Sequence, residues 1–556
     1  MSDQTQRGGD APGIVVIMID GLGRESLARA LKRRYLPFTR RLLRNRGYAL
    51  VPTRAGVPAT TPAVQAELMY GVEDIVPGFR WYEKATGRMR VMKNLEDIGA
   101  VHARLPEEEG LFRGGAVYTS FFSGGAERAY FVPGQRDPGA FGGPVRLRQV
   151  PLFVLRNLFP IARIAGLSLY ELWLELLDYV DAIARRRPRR GEGLFPLERV
   201  LSNAVLREVS AAGILEEIAA NTPAVFANFV GFDVMGHHRG PRSLSASMAL
   251  TAIDRKIQRM WRAAKRSAKR GGRRYEFYIL SDHGQTPAEP FERRAGRSLR
   301  EAILEQALSA RVETRGSAEY RETVHSAAVL GRLRQIQMLL PWPLRPLAGF
   351  VAGRIEARLK ESGRAEAAAE ATELLVLPTG GLAHIYFLDS SGSLDISDVE
   401  RMHPGLLSHI ADLPGVRAVV GRSGTNAVIR GAGGELVVGG DIRLAGRDPL
   451  AGVGPTEEVA RQLAGLARHP QCGDLMILAG KIGRRRLVRR GAIYANFLEE
   501  LGGHGGVEPP EQDSFLICPR ERAGLFREGC FPADVYRGLK KVRALDSKCK
   551  WLMADY

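Results

Sequence analysis

Cysteine is scarce: four occur in 556 residues, Cys472, Cys518, Cys530 and Cys549, all in the last quarter of the chain. Their spacing is not that of a zinc finger, and nothing in it reads as a disulfide framework. Long apolar runs are missing too. No stretch reaches the roughly eighteen uninterrupted apolar residues of a membrane span. The segment from Met1 to Pro12 is polar and lacks the apolar core of a secretory signal. No internal repeat is visible. The expectation is a disordered tail over 1–12 and a cytoplasmic protein, with peripheral contact to a membrane the alternative.

The hydrophobic fraction of 45% and charged fraction of 25% are those of an ordinary folded protein. The length allows several domains, or one large α/β core with insertions. Charge is lopsided: 80 Lys and Arg face 61 Asp and Glu, a net +19. That excess favours anionic partners: nucleic acid, an anionic membrane surface, or phosphorylated substrates such as a small phosphate ester or lipid head group. A simply solvated basic surface weighs equally, and no specific nucleic-acid binding is expected.

Short apolar runs recur with helical stretches between them. The clearest are Ile14–Ile19, Ala116–Phe121, Ala224–Val230, Glu276–Leu280, Ala383–Leu388, Arg417–Val420, Asn426–Arg430, Leu475–Leu478 and Ser514–Cys518. Strands bounded by helical pattern indicate an α/β fold with a mainly parallel central sheet covered by helices on both faces. Between Ser245 and Lys269, Leu250, Ile253, Ile257 and Met260 recur at helical spacing. Two regions break the rhythm, at about 145–200 and 299–377, and read as helical insertions where substrate selection often resides. Val150 to Ala184 is rich in large apolar side chains and runs into Arg185-Arg186-Arg187-Pro188-Arg189-Arg190; residues 336–351 hold three prolines among apolar groups. Both suit helices over a core or pocket, with a membrane-surface role as the rival reading.

The chemistry sits at strand ends. Asp20-Gly21 follows the Ile14–Ile19 run, where ligands of open α/β sheets gather. Thr60-Thr61-Pro62 has the grammar of a helix start and Gly71 that of its stop. Free N–H groups and the helix dipole there favour a phosphoryl group. Asp233-Val-Met-Gly-His237 follows another strand, and Asp282-His283-Gly284 closes a third. Gly503-His504-Gly505 precedes a fourth. Carboxylates, imidazoles and a hydroxyl so placed suit a two-metal hydrolase acting on phosphate esters.

This ordered set resembles the alkaline phosphatase superfamily, in its type I phosphodiesterase and nucleotide pyrophosphatase branch. The resemblance spans residues 13 to 518 and implies an alkaline-phosphatase-like catalytic domain over 13–530, with a C-terminal extension over 531–556. It also implies two divalent ions, zinc or alternatively manganese. Asp20, Thr61, Asp282 and His283 would hold one, and Asp233, His237 and His504 the other. The implied reaction is phosphoester hydrolysis, with a diesterase or nucleotide pyrophosphatase expected, through a phosphothreonine. A phosphomutase or phosphomonoesterase is the alternative within the superfamily, and a non-catalytic polyanion- or membrane-surface-binding scaffold the alternative outside it. Counting back from Gly71 selects Thr61 as nucleophile; counting from the proline selects Thr60. Where diesterase relatives carry a phosphate-binding Asn, this chain has Phe79, so Arg80, Phe79, Trp81 and Tyr82 are the expected substrate-binding residues.

Overall fold

A computed structural model describes residues 12–133, 150–184, 194–307, 374–484 and 492–544. Its central sheet has seven strands, in the order Tyr48–Arg54, Asp513–Pro519, Tyr275–Leu280, Gly13–Ile19, Ala224–Phe229, Ala116–Tyr118 and Arg128–Tyr130. The last five run parallel to one another and the first two pair antiparallel at one side. This is the mainly parallel α/β sheet that the sequence implies.

Residues of the Gly13–Ile19 strand alternate between two cores, as a period of two demands. Ile14, Val16 and Met18 enter one core with Val64, Leu68, Leu539 and Val542 from two covering helices. Val15, Ile17 and Ile19 enter the other with Ile214, Ile253, Ile257 and Met260. Burial on both faces explains why this strand carries no polar residue until Asp20. The helix Pro532–Ala544 belongs to the first of these cores. Its Tyr536 ring lies where a Cβ on Gly71 would sit, 2.6 Å away, and Gly71 ends the Thr61–Tyr70 helix at φ 70°. Thus part of the segment set apart as a C-terminal extension closes the core beneath the expected nucleophile helix.

Two expectations shift. The strand expected over Ala116–Phe121 stops at Tyr118, because Thr119 turns to φ 55° and leaves extended geometry. The strands Leu382–Phe387, Val416–Ser423, Asn426–Gly431 and Leu475–Ala479 lie outside the central sheet. They form a second seven-stranded sheet with Leu374–Pro378, Gly434–Val438 and Ile442–Gly446, antiparallel throughout. A small third sheet pairs Gly502–Gly503 with Thr286–Pro290 and so carries the loop of His504 towards the end of the Tyr275–Leu280 strand. The first insertion is helical, as Val150–Ala184. Most of the second, including 336–351, lies outside the described residues, as do residues 1–11, the arginine run 185–190 and Cys549. Cys472, Cys518 and Cys530 are free thiols in the interior.

Candidate active site

Parallel strands end on the same side, so the residues that follow them meet. Gly13–Ile19 lies between Ala224–Phe229 and Tyr275–Leu280. Asp20, the helix Gly231–Arg239 bearing Asp233 and His237, and Asp282-His283 therefore all leave one edge of the sheet. Gly21 sits at φ 71°, and a Cβ there would lie 2.5 Å from an Asp233 carboxylate oxygen. Only glycine admits that approach.

Ligand-type atoms of Asp20, Asp282 and His283 lie within 4.8 Å of one another, as do those of Asp233, His283 and His504. The Thr61 hydroxyl is 3.2 Å from His283 Nε2 and 3.4 Å from Asp20 Oδ1. Thr60 is the residue before the helix, and its buried hydroxyl has no hydrogen-bond partner. His237 Nε2 is 3.2 Å from Asp233 Oδ2 and 3.1 Å from His504 Nε2. The rings of His283 and His504 stack at 3.8 Å.

The outer nitrogen of each ring is committed to an oxygen. His283 Nδ1 donates to Gly284 O at 3.0 Å, His504 Nδ1 to Ala59 O at 2.9 Å, and His237 Nδ1 meets Glu500 Oε2 at 2.9 Å and Gly502 O at 3.0 Å. A carbonyl oxygen cannot donate, so Nδ1 carries a proton in each ring and Nε2 is the nitrogen turned into the site. Three Nε2 atoms thus converge among three carboxylates, and Asp282 Oδ2, which accepts no hydrogen bond, lies 3.3 Å from His283 Nε2. That donor set fits borderline divalent metal ions.

Electrostatics agree. Burial, then the Asp282 and Asp233 charges, push Asp20 well above the usual carboxylate range. Burial and neighbouring His283 push His504 down to about 3, so it stays a neutral imidazole. Burial opposes charge on His237, yet Glu500 and Asp233 raise it well above the usual imidazole range, so one imidazolium offsets the crowded carboxylates, a role that a divalent cation also fits.

Sequence reasoning passed over three residues here. Asn228 donates from Nδ2 to Asp20 Oδ2 at 2.7 Å, Gln285 from Nε2 to Asp233 Oδ1 at 2.5 Å, and Glu500 faces His237. Asn228 had a signal: it is the one polar side chain in the buried strand Ala224–Phe229. Glu500 and Gln285 had none, since only the fold brings them to their partners.

The post-helix loop divides. Phe79 lines a cavity of about 130 Å³ with Lys93, Thr119, Phe121, Phe131 and Asn228, so this cavity adjoins Asp20 through Asn228. Trp81, expected to contact substrate, is 0% exposed and sealed in the core, with no surface left for a ligand. Tyr82 packs on the same core and meets Tyr386 edge-on at 5.9 Å, while Arg80 is buried at the start of the Arg80–Glu83 strand.

The sequence profile of the family described as type I phosphodiesterase / nucleotide pyrophosphatase matches residues 14–338. No match was found among curated proteins. Among solved structures, the chain is similar to phosphonoacetate hydrolase from Sinorhizobium meliloti 1021 in complex with phosphonoacetate, with 14% identity, 96% of each chain covered and a TM-score of 0.47. It is also similar to murine ectonucleotide pyrophosphatase / phosphodiesterase 5. The inactive form with AMP gives 11% identity, 96% and 95% coverage and a TM-score of 0.44. The same murine protein without AMP gives 12% identity, equal coverage and a TM-score of 0.45.

Proposed function

The chain belongs to the type I phosphodiesterase / nucleotide pyrophosphatase family and is a hydrolase of phosphoric esters, and from that premise we propose that it cleaves phosphodiesters with Thr61 as nucleophile. The observation that carries this reading is the Thr61 hydroxyl, set between Asp20 Oδ1 and His283 Nε2 at the start of a helix. Two divalent ions, zinc or manganese, held by Asp20, Thr61, Asp282 and His283 and by Asp233, His237 and His504, would supply Lewis acidity and offset the crowded carboxylates.

The chain's own residues do the rest. Thr61 Oγ1 attacks phosphorus and forms a new P–O bond as the P–O bond to the leaving alcohol breaks, that oxygen keeping the bonding pair and taking a proton from solvent; the second ester alcohol stays on phosphorus. Asp20 Oδ1, 3.4 Å away, is the carboxylate oxygen within reach of the hydroxyl proton, while His283 Nε2, 3.2 Å away, is the ring atom that would hold the ion beside it. The helical ladder begins at Val64 N–H to Thr60 O, 3.0 Å, so the first-turn N–H groups lie outside it and face charge developing on the phosphoryl oxygens. Water then displaces Thr61 from phosphorus.

The organic part of the ester fits the cavity beside Asn228. Phe79, Phe121 and Phe131 offer apolar ring surface, and Lys93 lies 5.8 Å over the Phe79 ring. Such a lining suits a nucleobase, glycerol or lipid portion next to the phosphate. A panel of matched mono- and diesters, assayed on metal-stripped protein with zinc or manganese restored, tests the proposal. Activity is expected to vanish on stripping, return with metal and favour diesters. Full turnover without bound transition metal, or a monoester advantage above about tenfold in kcat/KM (1.4 kcal/mol), would overturn it.

A further inference from the structure

Between Leu169 and Ile183 the Val150–Ala184 helix turns three acids inward and a stripe of apolar residues outward. Glu171, Glu175 and Asp178 lie on one side and all meet Arg199, which is 1% exposed. Arg199 Nε reaches Glu171 Oε2 at 3.1 Å, and Nη1 reaches Glu175 Oε2 and Asp178 Oδ2 at 2.8 Å each. Ser245 Oγ donates to Asp178 Oδ2 at 2.6 Å, and Arg239 pairs with Glu175. Leu169, Leu172, Trp173, Leu176, Val180 and Ile183 point the opposite way, with exposures of 44% to 68%. At 3.6 residues per turn these six fall within an arc of about 100°, over a length of about 21 Å. Rotating the helix to hide them would break all of the Arg199 ion pairs. The exposure is therefore built in.

We propose that this face docks on the surface of an anionic lipid bilayer, lying in its plane. Charge argues for that occupant over a second copy of the chain. The arc of six carries no carboxylate: Glu171, Glu175 and Asp178 are spent on Arg199 and Arg239, and Asp181 falls outside the arc. The five arginines among residues 185–190 follow the helix directly in sequence, and the whole chain carries +19. Two copies meeting on this face would bring +19 against +19, whereas an anionic leaflet attracts both the arginines and the net charge. Trp173, stacked on Tyr170 with centroids 6.1 Å apart, is the residue type that settles at the water–lipid boundary. Among the described residues no helix is long and apolar enough to cross a membrane, which fits a helix that lies on the surface. Arg239 follows His237 by two residues on the same helix, so the ion pairs that hold the stripe outward also tie it to the site.

Co-sedimentation with vesicles tests this. The full chain and a Leu172→Glu/Leu176→Glu variant are compared on phosphatidylcholine vesicles with and without phosphatidylserine. Both substitutions fall on exposed side chains, and far-ultraviolet circular dichroism checks that the variant is folded. The parent is expected to bind the phosphatidylserine vesicles, to release in high salt, and to exceed the variant by about tenfold or more in partitioning, since two apolar contacts become charges. Failure of the parent to bind, or equal binding by the folded variant, overturns the proposal. So does light scattering that shows a parent dimer and a monomeric variant, which would assign the face to a second copy.

Discussion

The central sheet and the antiparallel sheet have seven strands each, yet the acids and imidazoles of the site leave the first and its connecting loops. Gly13–Ile19, Ala224–Phe229 and Tyr275–Leu280 are adjacent and parallel, so Asp20, Asp233, Asp282 and His283 emerge side by side. The strands from Leu374 to Gly446 alternate in direction. Their ends scatter to two edges, and a sheet of that kind cannot gather ligands at one. Its interior is instead apolar, with Ile385, Val419 and Ile477 at 0% exposure. His384 marks the contrast. It is as buried as His283, but its Nε2 donates to Pro77 O at 3.1 Å and its Nδ1 accepts from Gly473 N–H at 3.3 Å, with no carboxylate beside it. One imidazole holds a loop and the other faces acids. Direction of strands, more than burial, separates them.

Breaking the site should cost chemistry and leave the fold. Asp282→Asn keeps the volume and removes the charge of a buried oxygen that accepts no hydrogen bond and lies 3.3 Å from His283 Nε2. Its kcat/KM on a diester should fall about a thousandfold or more, the scale of several kcal/mol of lost charge stabilisation. Thermal unfolding of the metal-free protein should be unchanged or raised, because a buried repulsion is relieved. A loss of activity that tracks unfolding would erase the distinction.

Breaking the antiparallel sheet should do the reverse. Ile477 lies mid-strand, paired with Ala383 and Val419. Ile477→Ala should cost about 2–5 kcal/mol in urea unfolding by leaving a cavity. Turnover per folded molecule should stay near that of the parent. A matching fall in kcat would mean that this sheet positions the site more tightly than its strand ends suggest.

A smaller effect sharpens the contrast through pH. Burial holds His384 down at about 4, against an ordinary 6.5. Between these values the unfolded chain binds the proton and the folded chain does not, so this group favours unfolding as pH falls from about 6.5 to about 4 and adds nothing further below. The contribution amounts to about 3 kcal/mol across that window. His384→Gln should flatten the decline in the pH profile of unfolding free energy. An unchanged slope would remove His384 as its source.

Much of the site was legible because strand-end motifs are local. Asp20-Gly21, Asp233 to His237 and Asp282-His283 each sit beside the run that places them, and the resemblance joined them. The second sheet was less legible, since an apolar run such as Leu475–Ala479 carries no direction. A signal was present all the same. Val416–Ser423 and Asn426–Gly431 are separated only by Gly424-Thr425, and Asn426–Gly431 and Gly434–Val438 only by Ala432-Gly433. Two-residue links containing glycine between strands announce antiparallel hairpins. The substrate side was hardest. Nothing in Phe79-Arg80-Trp81-Tyr82 tells which ring faces a cavity and which the core; that depends on helices and strands far away in sequence, such as the core that encloses Trp81.

The central claim is that Thr61, with its hydroxyl among the acids and imidazoles, takes up the phosphoryl group. Protein quenched in acid while turning over a phosphodiester, then digested and examined by mass spectrometry, reads this directly. The account predicts an adduct on Thr61, comprising the phosphoryl group and the alcohol that has not yet left, absent from Thr61→Ala. An adduct on Thr60, or full activity in Thr61→Ala, would contradict it.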